Sequence, residues 1–128
     1  MAIRIVQLGT PRQKGEGLRI GTVRRPPRGV RKEDYARRDY YDVWLPELSP
    51  SATLVDVARR QTDAAGWKRF EQRFVRELAR PESARLLDLL AALSRTADFS
   101  VGCYCDDEAR CHRSILRKVL AARGADIR

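Results

Sequence analysis

No run of apolar residues in this 128-residue chain approaches the roughly 20 that a membrane span requires, so no membrane partner is expected. The opening MAIRIVQL is too short and too regularly charged for a secretory leader, and a cytoplasmic location is the expectation. Cysteine is scarce and odd in number. There are three, with Cys103 and Cys105 one residue apart, which argues for reduced thiols and against a disulfide framework. Histidine occurs once, at His112. The chain has no internal repeat, no low-complexity segment and no linker long enough to separate domains. Residues 1–128 therefore read as one domain, large enough to bury a core. A hydrophobic fraction of 43% excludes a disordered tail.

Charge is present in excess and unevenly placed. Residues 1–38 hold 11 Lys+Arg against 3 Asp+Glu, whereas residues 39–128 are nearly balanced at 15 against 14. A cationic N-terminal third implies anionic partners, either phosphorylated or other anionic small ligands or nucleic acid. No nucleic-acid motif accompanies the charge, although Tyr35, Tyr40 and Tyr41 beside Arg37 and Arg38 would suit stacking on a single strand. Arginine that merely solvates the surface, with the tyrosines as packing, is the plainer alternative.

Along the chain, Ala2–Leu8 is apolar on both faces and reads as a strand inside a sheet. A turn-rich loop, GTPRQKGEG, leads to a second strand over Leu18–Arg24, ended by Pro26-Pro27-Arg28-Gly29. Lys32-Glu33-Asp34 opens a short helix. Asp42–Leu48, interrupted by Pro46, reads as an irregular segment anchored by Trp44. Ser51 or Thr53 caps a helix carrying Leu54, Val57 and Ala58, with Arg59 and Arg60 near its end. Asp63 caps the next, Ala64–Ala79, whose Trp67, Phe70, Phe74 and Leu78 form a core-facing stripe with no cofactor implied. Pro81 starts a third helix, and Ser83–Arg95, with leucine on more than half its circumference, should be the most buried.

The stretch Phe99–Ser114, FSVGCYCDDEARCHRS, holds every cysteine and the histidine. Phe99, Val101, Cys103 and Cys105 alternate as in a strand. Asp106–Arg110 is a charged turn, and from Cys111 the apolar Ile115, Leu116, Val119 and Leu120 recur at helical spacing, with Gly124 as the C′ residue. Strand, loop and helix place Cys111 in a helix's first turn, where unpaired N–H groups favour a thiolate and any anion beside it. The element order gives an α/β fold, a single compact domain with a small, mostly parallel central sheet flanked by helices. Ligands in such sheets bind beyond the carboxyl ends of strands, where Cys105–Cys111 and, for a parallel second strand, the Arg24–Arg28 loop would lie.

These motifs resemble the Domain of Unknown Function family 488, in particular its YeaO-like branch. The resemblance is carried by Arg24, Pro27-Arg28-Gly29-Val30 and Lys32-Glu33, then Trp44-Leu45, Leu48 and Pro50-Ser51. It continues through Trp67-x-x-Phe70 and Glu77-Leu78 to Cys103-x-Cys105 and Cys111-His112-Arg113. Val23, Arg24, Arg25 and Pro26 stand where that branch carries Asp-Arg-Leu-Trp. The resemblance implies a compact α/β domain with functional C-terminal cysteines, and no assigned activity.

Three readings of the cysteine site stay open. In the first, Cys111, His112 and Arg113 form the catalytic centre of a small anion-binding pocket that Arg24 and Arg28 line. Arg110 and Arg113 would depress the thiol pKa, His112 would serve as acid or base, and guanidinium groups would grip phosphate or carboxylate. The loop of Cys-dependent phosphatases, with five residues between Cys and Arg, is absent. In the second, Cys103, Cys105, Cys111 and His112 supply a structural zinc site, although the spacing is poor and helical neighbours such as Cys111 and His112 diverge by about 100°. In the third, the cysteines are small core hydrophobes.

Overall fold

A computed structural model describes residues 1–60, 63–105 and 111–128. Its sheet is built around β4 (Phe99–Cys103), whose five residues are all buried. The reason is placement between two neighbours. On one side β1 (Ile3–Gln7) pairs from Ile3 opposite Phe99 to Gln7 opposite Cys103; on the other β2 (Leu18–Gly21) pairs from Leu18 opposite Phe99 to Gly21 opposite Gly102. A two-residue strand, β3 (Val43–Trp44), pairs with β2, giving the order β1-β4-β2-β3. Every pairing is parallel. The expected α/β architecture holds, and parallelism extends through the whole sheet.

Among the described residues four α-helices accompany it: α1 (Ala52–Arg60), α2 (Ala64–Leu78), α3 (Pro81–Leu93) and α4 (His112–Ala122). Their ends follow local chemistry. The Ser51 hydroxyl accepts from the Leu54 N–H, and Asp63 Oδ1 accepts from the Gly66 N–H at 2.7 Å, so both helices start on side-chain caps. Pro81 occupies the first position of α3, and Gly124, at φ 82°, ends α4 in the left-handed conformation. The apolar faces of the helices meet the sheet through Phe70, Phe74, Leu87, Leu116 and their neighbours. Among the described residues no helix is long and apolar enough to cross a membrane.

Three local expectations are corrected. β1 is an outer strand, covered at Ile3 by a bridge to Ile127, so its apolar outer face needs no further strand there. Asp42–Leu48 is not irregular throughout, since its Val43 and Trp44 form β3. Trp44 is half-exposed and is held by donating its Nε1–H to the Val23 carbonyl at 2.7 Å. Finally, α3 is not singularly buried: Leu87 and Leu90 pack inward while Leu89 and Leu93 stay exposed, because only one stripe of the helix meets the core.

Close packing fixes the carboxyl end of β4. A Cβ on Gly102 would lie 2.7 Å from the Val6 carbonyl oxygen and 2.9 Å from Leu8 Cδ2, so only glycine fits between Val101 and Cys103. Beyond it, Leu8, Val23, Tyr41, Cys103 and Cys111 form a second, smaller core.

Candidate functional site

That second core brings the sulfur chemistry together. Cys111 is the N-cap of α4, one residue ahead of the helix, with extended dihedrals (φ −124°, ψ 152°). Its side chain therefore does not take a helical direction, and the divergence expected of Cys111 and His112 does not occur. Their Sγ and Nδ1 atoms lie 3.7 Å apart. Cys103, from the end of β4, joins them: its Sγ, the Cys111 Sγ and a His112 ring nitrogen all lie within 4.8 Å of one another. This group could hold a metal ion.

The state of the imidazole follows from its partners. His112 Nε2 is 2.6 Å from the backbone carbonyl of Thr22. A carbonyl can only accept, so Nε2 carries the proton and Nδ1 keeps its lone pair toward Cys111. The ring also meets Phe74 edge-on, with centroids 5.7 Å apart. Burial pushes its pKa down to about 4 against the opposing pull of the Thr22 carbonyl. His112 is neutral near pH 7.

The three thiols differ. Cys103 is buried, and its pKa rises through hydrogen bonding with Cys105 and then Cys111, with desolvation adding. For Cys111, the hydrogen bond with Cys103 favours the thiolate. The bond with Cys105, burial and the Cys105 charge outweigh it, and the net direction is up. Cys105 is exposed, and hydrogen bonding from Cys103 first and Cys111 second holds it well below the ordinary thiol range, with the Arg113 charge assisting. This direction is opposite to the depression expected of Cys111 at a helix N-terminus, with the Cys105 hydrogen bond the first cause of the rise and burial the second. Arg110 and the charged turn Asp106–Arg110 lie outside the described residues.

Arg113 is 4% exposed. Its Nη2 donates to the Cys105 carbonyl at 2.6 Å, its buried Nε has no partner among the described residues, and it forms no ion pair with any of them. The loop after β2 does lie at the carboxyl edge of the sheet, as a parallel β2 requires. Its arginines nevertheless do not bond to the cysteine group among the described residues. Arg24 donates to the Pro50 and Ser49 carbonyls, both at 3.1 Å, and faces a cavity of about 190 Å³ that also contains Glu47, Glu77 and Arg80. Arg28 is exposed. A second cavity, of about 300 Å³, is lined by Arg4, Ile5, Val6, Gln13 and Arg128 and includes no predicted site residue. Tyr41 is buried with Tyr35 edge-on against it at 5.2 Å, and Tyr40 packs against Tyr104 at 6.2 Å.

Two site features escaped the sequence reading. The Thr22 carbonyl that fixes the His112 tautomer is backbone and leaves no residue-type signal. Cys105 as the accessible thiol follows from β4 ending at Cys103, a boundary that the alternating pattern does not mark.

Thiols, an imidazole and a buried guanidinium thus lie together where the central strand of a parallel α/β sheet gives way to a helix. The family model DUF488-N3a, described as the active DUF488-N3 subclade, matches residues 3–124. The chain belongs to this DUF488 family, a family of domains of unknown function, as its motifs implied. Neither the curated proteins nor the solved structures provide a match.

Proposed function

We propose that the protein binds a small anionic ligand, phosphorylated or carboxylated, at the turn joining β4 to α4. Arg113 supplies the counter-charge and Cys105 the accessible thiol beside it. The observation that carries this reading is the Arg113 guanidinium itself, buried to 4% exposure with Nε unpartnered among the described residues. Among the described residues only the Cys105 carbonyl and the nearby Cys105 thiol answer this buried guanidinium, and a charge held with an open N–H gains from an incoming anion. A planar guanidinium suits phosphate or carboxylate through paired N–H donors. In this reading Cys111 and His112 are positioning residues. Together they fix the first turn of α4, and hence Arg113, through the Thr22 carbonyl. Arg28, exposed on the loop after β2, would attract anions toward the edge.

The test is thermal unfolding of the full chain in inorganic phosphate against sodium chloride of equal ionic strength. A ligand of the native state raises the transition with its concentration. Phosphate should raise it beyond chloride, less so in Arg113→Lys, and not at all in Arg113→Gln. Equal shifts for the two salts in the wild-type protein would contradict the proposal without recourse to any variant.

A further inference from the structure

We infer that Cys103, Cys111 and His112 form a binding site for a borderline-soft divalent cation of the zinc type. The donor set is two thiols and an imidazole, the chemistry that zinc selects over harder oxygen sites. Their ligating atoms already lie within 4.8 Å of one another, so closing on one ion requires only small side-chain movement.

The histidine is prepared for the task. Metal-bound imidazoles characteristically donate their second nitrogen to a carbonyl or carboxylate, which fixes ring and tautomer. His112 does this at the Thr22 carbonyl, 2.6 Å away, and presents the lone pair of Nδ1 on the side of Cys111 Sγ, at 3.7 Å. The supports are firm. Cys103 ends a strand paired on both sides, Cys111 sits at a helix N-cap, and the His112 ring lies against the fully buried Phe74.

Charge favours the same assignment. Cys103 and Cys111 are 1% and 2% exposed, so a lone thiolate at either place is costly. Two thiolates around a dication are neutral together, and binding releases their two protons to solvent. Three protein ligands leave a tetrahedral ion one position for an outside group. Cys105 hydrogen-bonds both thiols but lies outside the group whose ligating atoms come within 4.8 Å of one another, and metal binding is read without phosphate so that its failure is told apart from failure of the anion site.

The test titrates the reduced, chelator-stripped full chain with Co²⁺ and then Zn²⁺. We expect one equivalent of Co²⁺ to give a thiolate-to-cobalt charge-transfer band with the intense visible absorption of a tetrahedral site, and Zn²⁺ to bleach both. Cys103→Ser, Cys111→Ser and His112→Gln should each weaken binding about tenfold or more. Cys105→Ser, which removes a hydrogen-bond partner of the two thiols and not a ligand, should weaken it less than any of these three. A Cys105→Ser loss as large as that of Cys103→Ser would overturn the three-residue assignment, as would full retention in His112→Gln. Because two ligands are core residues, the wild-type spectrum decides first. Absence of the charge-transfer band there refutes the site whatever the variants do.

Discussion

Arg19→Met should be among the most damaging single substitutions in this fold. Arg19 and Glu16 are each 1% exposed, and the guanidinium meets the carboxylate twice, Nε to Oε1 at 2.5 Å and Nη2 to Oε2 at 3.2 Å. Its Nη1 donates to the carbonyls of Thr10 and Asp39, at 2.8 and 2.6 Å, tying two loops to β2. Without the arginine, Glu16 keeps the Gln13 N–H and the Ser100 hydroxyl as its hydrogen-bond donors among the described residues, and those carbonyls lose a donor. Breaking a buried pair from one side costs about 3–5 kcal/mol. Urea unfolding at pH 7 reads this as a fall in midpoint with an unchanged slope. The pH dependence supplies a second arm. Burial alone would raise the Glu16 pKa, but the Arg19 hydrogen bond, the Gln13 N–H, the Ser100 hydroxyl and the Arg19 charge together hold it below its usual value. A depressed folded-state pKa contributes stability above the unfolded value of about 4.3, and that contribution is lost as pH falls through the folded one. In Arg19→Met the buried, unpaired Glu16 takes up its proton at a higher pH than in the wild type, so the gap between the two should narrow as pH falls from above the ordinary carboxylate value of about 4.3 toward the depressed wild-type one. A loss under about 1 kcal/mol at pH 7, the scale of an exposed pair, would refute the reasoning.

Three further substitutions test the frame around the site. Gly102→Ala places a methyl against the Val6 carbonyl and Leu8 in the central strand, and should cost about 1–3 kcal/mol in urea unfolding. Tyr41→Phe should leave stability unchanged or raise it, because the Tyr41 hydroxyl is buried without a partner among the described residues and nothing is lost with it. Asp63→Ala removes the oxygen that caps α2 and should cost about 1 kcal/mol, recovered in large part by Asp63→Asn.

What could be read from sequence was what local chemistry decides. Asp63 as a cap, the Phe70–Phe74–Leu78 stripe of α2, Gly124 past the last helix and a strand beginning at Phe99 all appear where the pattern put them. Position within the sheet was not readable. Apolar alternation in Ile3–Gln7 fits an outer strand as well as an inner one, and two residues of β3 are too few to form a period. Nothing in the sequence marks Arg19 as interior, yet it is buried in its pairing with Glu16, while its apolar neighbour Leu18 is 48% exposed. At the site, the residues were legible and their geometry was not. Cys111 adjoining His112 suggested divergent helical neighbours, and the extended N-cap turned them together.

The most direct measurement is iodoacetamide labelling of the folded chain with each cysteine followed by peptide mass, in inorganic phosphate and in chloride of equal ionic strength. If an anion site lies beside an accessible thiol, Cys105 labels first, Cys103 and Cys111 stay unlabelled until the protein unfolds, and phosphate slows Cys105 more than chloride does. Labelling of Cys111 ahead of Cys105, or a Cys105 rate indifferent to phosphate, would contradict the account.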